Sequence, residues 1–131
     1  FIPLGLSSII HIAVVHTKSS DIMKTARNHM EYVLGLTPHQ FDLLEFLRQH
    51  LKEGEDMSRK ELHETLKIDS ATIARNLSKL IDLKLITREY ALSESAPPHY
   101  RYKTFQSDYY AEYLGNALSE IFLSIESYIS E

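Results

Sequence analysis

Apolar residues recur at helical spacing in the segment 37–51, and a helix start signal stands directly ahead of them. Thr37 is a suitable N-cap, Pro38 suits the first helical position, and Gln40 completes a capping box three residues after the cap. The apolar positions on one face of this helix are Phe41, Leu44, Leu47 and Leu51. The pattern predicts an amphipathic helix that packs against a core.

Two more amphipathic helices follow at a short interval. The first opens at another capping box, Ser58 with Glu61, and turns its leucines inward. The second is capped by Asp69 or Ser70 and extends to about residue 84. Since only about three residues separate the two, we expect them to form a helix-turn-helix.

The pattern becomes strand-like after Leu83. "LITREYAL" (85–92) and "HYRYKTF" (99–105) are short and rich in β-branched and aromatic residues. The intervening "SESAPP" (93–98) contains two prolines and small polar residues, which disfavour a helix. This arrangement predicts a β-hairpin with a loop of about six residues.

Helical spacing also marks both ends of the chain. We expect one helix at 20–34, another at 7–16, and a single long helix from Ser107 onward. These ends carry more apolar surface than one core of about 70 residues can cover, which indicates dimerisation; alternatively, both ends fold onto their own domain. The apolar positions of the C-terminal helix are Tyr110, Leu114, Ala117, Leu118, Ile121, Ile125 and Tyr128.

The order helix, helix-turn-helix, hairpin and helix is that of a winged helix. The expected fold class is therefore mainly α with a small β-hairpin. A winged helix-turn-helix domain at 37–105 would be flanked by N-terminal dimerisation helices at 1–36 and a C-terminal dimerisation helix at 106–131.

The second helix of the tight pair has two unlike faces. At 100° per residue, its apolar residues fall within one arc of about 100°, and the polar residues lie in another arc. Arginine reads guanine edges, asparagine reads adenine edges, and serine, threonine and lysine contact phosphates. The polar face is therefore predicted to bind the major groove; the alternative is a solvated helix face. The candidate contacts are Ser70, Thr72, Arg75, Asn76 and Lys79, opposite Ile73, Leu77, Leu80 and Ile81.

The second strand of the hairpin supplies two further candidates. Alternation places Arg101 and Lys103 on one side and Tyr100 and Tyr102 on the other. The cations are predicted to reach the DNA backbone or minor groove from a wing at about 86–105. An equally simple reading is a charged edge strand that resists association with other sheets.

The net charge of −4 is unevenly distributed. Residues 58–105 carry nine basic and six acidic residues, whereas 106–131 carry five acidic residues and no basic ones. A local positive field is therefore expected around the helix-turn-helix, and the acidic tail would be repelled from phosphate.

Several other classes of protein are disfavoured. There is no cysteine, which excludes disulfides and favours a reducing, cytoplasmic location. The seven histidines show no metal-ligand spacing, and neither a phosphate-binding glycine loop nor a nucleophile elbow is present. We therefore expect no enzyme, cofactor or metal. No apolar run is long enough for a membrane helix, and the N-terminal stretch lacks the basic region of a secretory signal.

"GLTPHQFDLLEFL" and "MSRKELHETLKIDSATIARNLSKLIDLKLITRE" resemble the MarR family of transcriptional regulators. Two features depart from that pattern. Lys67 stands where the turn often has glycine, so it must accept any strain in the backbone. The wing "SESAPPHYRYKTF" lacks the common Asp and Arg pattern and is closer to wings of the TrmB type.

The resemblance implies a homodimeric repressor of transcription that binds double-stranded DNA at a pseudo-palindromic operator. It also implies a small-molecule effector in a pocket between the dimerisation helices and the DNA-binding lobe, where tyrosines and Phe41 could line it. The alternative is a winged-helix module that docks another protein within a transcription complex.

Overall fold

The computed structural model describes residues 19–131, which divide into two units between Gly35 and Leu36. The helix expected at 7–16 lies outside the described residues. Five helices and three strands are formed within the described range. In chain order they are α1 (Ser19–Leu34), α2 (Pro38–His50), β1 (Met57–Ser58), α3 (Arg59–Leu66), α4 (Ser70–Asp82), β2 (Thr87–Ser93), β3 (Ala96–Lys103) and α5 (Ser107–Ser130).

Helix α1 forms the described part of the first unit and begins one residue before its predicted start. The guanidinium Nε of Arg27 donates to Oε1 of Glu31 one turn later, at 2.9 Å. At the end of the helix, the Gly35 N–H donates to the carbonyl of Tyr32 at 3.2 Å. Gly35 has a φ of 71°, which a residue without a Cβ adopts at little cost.

The capping box predicted for α2 is confirmed. Thr37 Oγ1 accepts from the Gln40 N–H at 3.3 Å, and Gln40 Oε1 accepts from the Thr37 N–H at 3.0 Å. Only half of the second box forms, at the start of α3. Ser58 Oγ accepts from the Glu61 N–H at 3.1 Å, but the Glu61 carboxylate pairs with Arg101 instead of returning to the cap.

Helix α4 starts where the sequence suggests, and Asp69 rather than Ser70 is its N-cap. Three residues, 67–69, separate it from α3, so the predicted helix-turn-helix is present. Helix α4 ends at Asp82, two residues before the predicted end. The turn into β2 places Lys84 at a φ of 61°.

The three strands form one antiparallel sheet in the order β1-β3-β2. The hairpin register pairs Arg88 with Tyr102 and Tyr90 with Tyr100. Strand β1 pairs only two residues of β3 and was not predicted, because a two-residue strand is too short to show alternation.

The predicted six-residue loop of the hairpin is wrong. Strands β2 and β3 extend until Ser93 pairs with Ala96, which leaves a two-residue turn, and both Pro97 and Pro98 lie within β3. Prolines are tolerated here because β1 ends well short of them, so β3 is an edge strand at this point. The pairing is irregular opposite them, between Ala91 and Ser93.

The core of residues 36–131 draws on the helices α2 to α5, on strand β3 and on the turns next to them. Four of its leucines, Leu47, Leu62, Leu80 and Leu85, have no exposed surface. The expected fold class, mainly α with a small β-hairpin in a winged helix-turn-helix arrangement, is confirmed. The other buried apolar side chains of this unit are Leu36, Phe41, Leu43, Leu44, Leu51, Ile73, Leu77, Ile86, Tyr102 and Tyr110.

Candidate nucleic-acid interface

Helix α4 has one buried face and one exposed face. Ile73 and Leu77 are each 1% exposed and Leu80 is fully buried, so these three side chains anchor the helix to the core. Arg75 and Lys79 lie on the opposite face and are exposed. The anchoring leaves a basic, polar ridge directed away from the rest of the domain.

The first turn of α4 holds Arg75 through a chain of hydrogen bonds. Asp69 Oδ2 accepts from the Thr72 N–H at 3.1 Å and from the Thr72 hydroxyl at 3.4 Å. The same hydroxyl oxygen accepts from Nη2 of Arg75 at 3.2 Å. These contacts restrict the guanidinium along the helix before any ligand is present, which lowers the entropy that binding must remove.

Three predicted contacts on α4, Ser70, Thr72 and Asn76, are less exposed than Arg75. Ser70 is the first residue of α4 and is half-buried. Asn76 is also half-buried and borders an apolar cavity of about 240 Å³ beside α4. Asn76 therefore lies at the edge of the exposed face, between Arg75 and the cavity.

Two exposed small residues share this face and were not among the predicted contacts. Ala71 and Ser78 lie on either side of Arg75 and present little side-chain bulk. Positions 71, 75 and 78 are separated by four and three residues, which places them on one side of a helix. Helical periodicity could therefore have identified Ala71 and Ser78 as part of this face. Small residues at these positions allow the helix backbone to approach a partner closely.

In the wing, Arg101 is engaged by carboxylates of its own chain. Its Nε contacts Asp56 Oδ1 at 2.7 Å and its Nη1 contacts Glu61 Oε1 at 2.9 Å. The hydrogen bonds that the guanidinium donates to Asp56, and next to Glu61, raise the pKa of Arg101. This residue thereby ties β3 to the start of α3 and to the turn before β1.

The other two wing cations, Lys103 and Arg88, contact side chains within the hairpin. Lys103 Nζ contacts Glu89 Oε2 at 2.9 Å across the hairpin, and the Glu89 side chain is 67% exposed. Arg88, which was not a predicted contact, places its guanidinium 4.1 Å from the ring centre of Tyr100. Cross-strand pairing explains this contact, because Arg88 lies diagonally opposite Tyr100 in the register.

The turn that orients α4 is strained at Lys67. This residue adopts a left-handed conformation, with φ 57° and ψ 35°, and its N–H donates to the carbonyl of His63 at 2.9 Å. The expectation that a side chain must accept the glycine conformation here is confirmed. The His63 ring Nδ1 also contacts the carbonyl of Ile68, at 2.6 Å, which further fixes the turn.

The end of α4 is held by tyrosines from α5. The hydroxyls of Tyr113, Tyr109 and Tyr110 donate to the carbonyls of Leu83, Lys84 and Leu85, at 2.6, 2.6 and 2.7 Å. Burial is the main cause that raises the pKa of both Tyr110 and Tyr113. The periodicity of the sequence identified Tyr110 as an apolar position of this helix and gave no signal for these hydrogen bonds.

Two cavities lie within residues 36–131. The larger, of about 510 Å³, is bordered by the end of α2, the turn at 51–54 and the start of α5; the smaller lies beside α4. Neither is lined by Phe41 or by a tyrosine. Phe41, expected near an effector, is 4% exposed and belongs to the core, because it shares the inward face of α2 with Leu44 and Leu47.

The described range contains neither a candidate metal site nor a candidate membrane-spanning helix. Between residues 19 and 131, no group of three or more His, Cys, Asp or Glu side chains could hold a metal ion. None of the helices in this range is long and apolar enough to cross a membrane.

Comparisons with known proteins agree with this architecture. The family model described as "MarR family" matches residues 34–91. A possible transcriptional regulator from Methanosarcina mazei is similar in fold, with a TM-score of 0.72 and 14% identity over 80% of this chain and 86% of that one. A protein from the thermoacidophilic archaeon Sulfolobus tokodaii has a TM-score of 0.60 and 17% identity, over 78% of this chain and 96% of that one. No curated protein matches the chain.

Proposed function

We propose that the chain binds double-stranded DNA sequence-specifically through α4, because the model described as "MarR family", a family of transcriptional regulators, matches residues 34–91. The family match also confirms the expectation of a transcriptional regulator rather than an enzyme. In the proposed complex α4 enters the major groove, and the wing formed by β2 and β3 lies along the backbone or minor groove.

The exposed face of α4 carries this proposal. Its position as the second helix of a helix-turn-helix, with the opposite face anchored in the core, presents Arg75 and Asn76 toward a ligand. We assign these two residues to base edges, because their side chains make bidentate contacts with guanine and adenine. Ser70, Thr72 and Lys79 are assigned to phosphates.

The wing cations divide into two roles in this proposal. Lys103 can exchange the exposed Glu89 carboxylate for a phosphate at small cost, because exposed ion pairs contribute little. Arg101 is a weaker candidate for direct contact, since two carboxylates already hold its guanidinium. It supports the interface by fixing the wing beside α3.

The apolar surface of α5 supports the proposed homodimer. Leu118 and Phe122 are 52% and 57% exposed, and Ile125 and Ile129 are 54% and 75% exposed. These four residues recur at helical spacing and form a continuous stripe on one side of α5. We propose that 106–131, together with the N-terminal segment 1–36, forms the dimer interface, so that 37–105 is the DNA-binding domain.

A two-fold dimer places its recognition helices about one turn of DNA, roughly 34 Å, apart. The operator is therefore proposed to be pseudo-palindromic. We further propose a cytoplasmic repressor that blocks transcription by occupying its operator and responds to a small-molecule effector, as the family resemblance implies.

Selection of binding sites from random duplexes tests the proposal. The wild type should enrich a pseudo-palindromic motif. Arg75→Ala and Asn76→Ala should each lose about 1 to 3 kcal/mol of binding free energy and relax the preference at one base position of each half-site, because each removes a bidentate base contact.

Lys52→Ala is the matched control, because it removes one exposed charge from the turn after α2, outside the residues assigned to DNA and the segments assigned to the dimer interface. Its motif should equal that of the wild type. The logarithm of the wild-type affinity should fall steeply with the logarithm of the salt concentration, and Lys79→Gln should reduce that slope by about 1. Enrichment of no motif would refute the proposal and favour the protein-docking alternative.

A further inference from the structure

Helix α5 is attached to its own domain by the aromatic side chains of its first two turns. Tyr110 is the one buried residue among its 24. Around it, the Phe105 and Tyr109 rings stack with centres 4.0 Å apart, and the Arg48 guanidinium lies 4.8 Å from the Tyr110 ring centre. The placement of α5 therefore depends on a small aromatic cluster.

Three members of this segment, Tyr109, Tyr110 and Tyr113, form what we call the tyrosine clamp. Their hydroxyls donate to three successive carbonyls, those of residues 83–85, over 2.6–2.7 Å. The last carbonyls of a helix and those just beyond it lack partners within the helix. The backbone N–H groups of Leu83, Lys84 and Leu85 end α4 by donating to carbonyls of its last turn. The clamp supplies, from a separate helix, partners for the carbonyls of these same three residues, which lead from α4 into β2.

The clamp residues are suited to a fixed geometry. Tyr110 also accepts a hydrogen bond from the Phe105 N–H at 3.2 Å, so its hydroxyl is held from two directions. Burial disfavours the ionised form of Tyr110 and Tyr113 and raises their pKa, which extends the pH range over which both hydroxyls stay donors.

The clamp and the apolar stripe lie on different sides of α5. At 100° per residue, the centre of the clamp lies roughly 140° around the helix from the stripe formed by Leu118, Phe122, Ile125 and Ile129. One side of α5 thus grips the end of α4, while another side presents the surface assigned to the partner copy.

We propose that Tyr109, Tyr110 and Tyr113 are positioning residues that set the orientation of α4 relative to α5, and with it the half-site spacing that the dimer accepts. This inference rests on the proposed function. If α5 is fixed against its partner copy and α4 is fixed against α5, the two recognition helices form one rigid frame. Loosening the clamp lets each α4 shift by itself.

The test compares three duplexes: the operator selected by the wild type, and versions with one base pair added or removed at its centre. Each such change moves a half-site by about 3.4 Å and rotates it by about 35°. The variant Tyr109→Phe/Tyr110→Phe/Tyr113→Phe keeps the rings and removes the hydroxyls. Tyr128→Phe is the matched control, because this tyrosine is 81% exposed on the same helix.

The wild type and the control should bind the duplex with the parent spacing about tenfold or more tightly than either altered duplex. For the clamp variant this ratio of affinities should be about threefold or less. An unchanged spacing preference would overturn the proposal, even with weaker binding to all three duplexes, because uniform weakening marks a merely structural role. Should the triple variant not fold, Tyr109→Phe/Tyr113→Phe leaves the buried Tyr110 intact and is judged by the same criterion.

Amide hydrogen exchange gives a second readout that needs no DNA. Exchange at residues 80–86 should be faster in the clamp variant than in Tyr128→Phe, and equal exchange would overturn the proposed clamp. If the wild type selects no duplex, the proposed function fails, whereas the exchange result still decides whether the clamp fixes the end of α4.

Discussion

Lys67 adopts a left-handed backbone conformation, which costs free energy for any residue with a Cβ. At φ 57° its Cβ crowds the following carbonyl, which destabilises the fold by about 1 to 2 kcal/mol relative to an unstrained residue. The turn nevertheless requires this conformation, because it reverses the chain between α3 and α4 within three residues. The strain therefore belongs to the geometry of the helix-turn-helix.

Replacing Lys67 with glycine should stabilise the protein. Relief of strain exceeds the added entropy of the unfolded chain, and we expect the free energy of unfolding to rise by about 0.5 to 1 kcal/mol. Denaturant unfolding measures this change. Glu64→Gly, inside α3, is the control of opposite sign and should lower the free energy of unfolding by about 1 kcal/mol. If Lys67→Gly also lowers it, the backbone at Lys67 is not strained.

Tyr110 and Tyr113 should make the protein less stable in alkali. The pKa of both is raised in the fold, so the unfolded chain ionises first as the pH passes about 10. The contribution of these two residues to the free energy of unfolding is complete below about pH 10. It is lost as the pH rises through their pKa values in the folded protein.

Absorbance of tyrosinate should accordingly show a late-titrating component in the wild type. Tyr110→Phe/Tyr113→Phe should remove it, and Tyr128→Phe should leave it in place. Retention of the late component in the double variant would refute the assignment.

At the scale of single residues, the sequence predicted which residues of α4 lie opposite its buried face, whereas it gave no signal for the contacts of Arg101 in the wing; DNA binding by either set stays a prediction. The polar face of α4 follows from helical periodicity, which depends on nearest neighbours along the chain. The engagement of Arg101 by Asp56 depends on a contact between residues 45 positions apart, which no local pattern contains.

Among the secondary-structure elements, the capped helices were predictable because their start signals are local. The hairpin was also predicted, but the length of its turn was not, because that length depends on which strand edge is left open. Pro97 and Pro98 indicate a loop by composition, yet they fit in β3 where β1 no longer pairs with it.

Arg101 connects β3 to α3 and to the turn before β1, and its loss should mainly reduce stability. We expect Arg101→Gln to lower the free energy of unfolding by about 1 kcal/mol, because it leaves Asp56 and Glu61 without their cation. Thermal or denaturant unfolding provides the measurement.

Lys103→Gln is the comparison for Arg101→Gln. The ion pair of Lys103 with the exposed Glu89 should contribute less than about 0.5 kcal/mol to the free energy of unfolding. If Arg101→Gln leaves stability unchanged but weakens DNA binding and reduces the salt slope, Arg101 is a phosphate contact after all.

For the whole molecule, the stripe on α5 is the surface that most needs a partner. Ile125→Asp places a charge at its centre and should convert a dimer into a monomer, because an unpaired carboxylate would be buried in the interface. Light scattering after size-exclusion chromatography measures the mass. DNA affinity should fall with the loss of the second half-site contact.

Ser127→Asp is the matched control for Ile125→Asp. Ser127 lies on the far side of α5 from the stripe, is exposed, and should tolerate the charge without a change in mass. A dimeric Ile125→Asp protein would remove this stripe from the interface.

The paired prolines of β3 have a consequence for how copies of this protein meet. Adjacent backbone nitrogens of a strand point to opposite edges, so one of the two prolines faces the open edge beyond β1, and it has no N–H to donate. A strand from another molecule therefore finds a gap in the hydrogen-bonding ladder at the tip of the hairpin. This gap protects the sheet against edge-to-edge aggregation, and it leaves side-chain packing between helices as the favoured route to self-association.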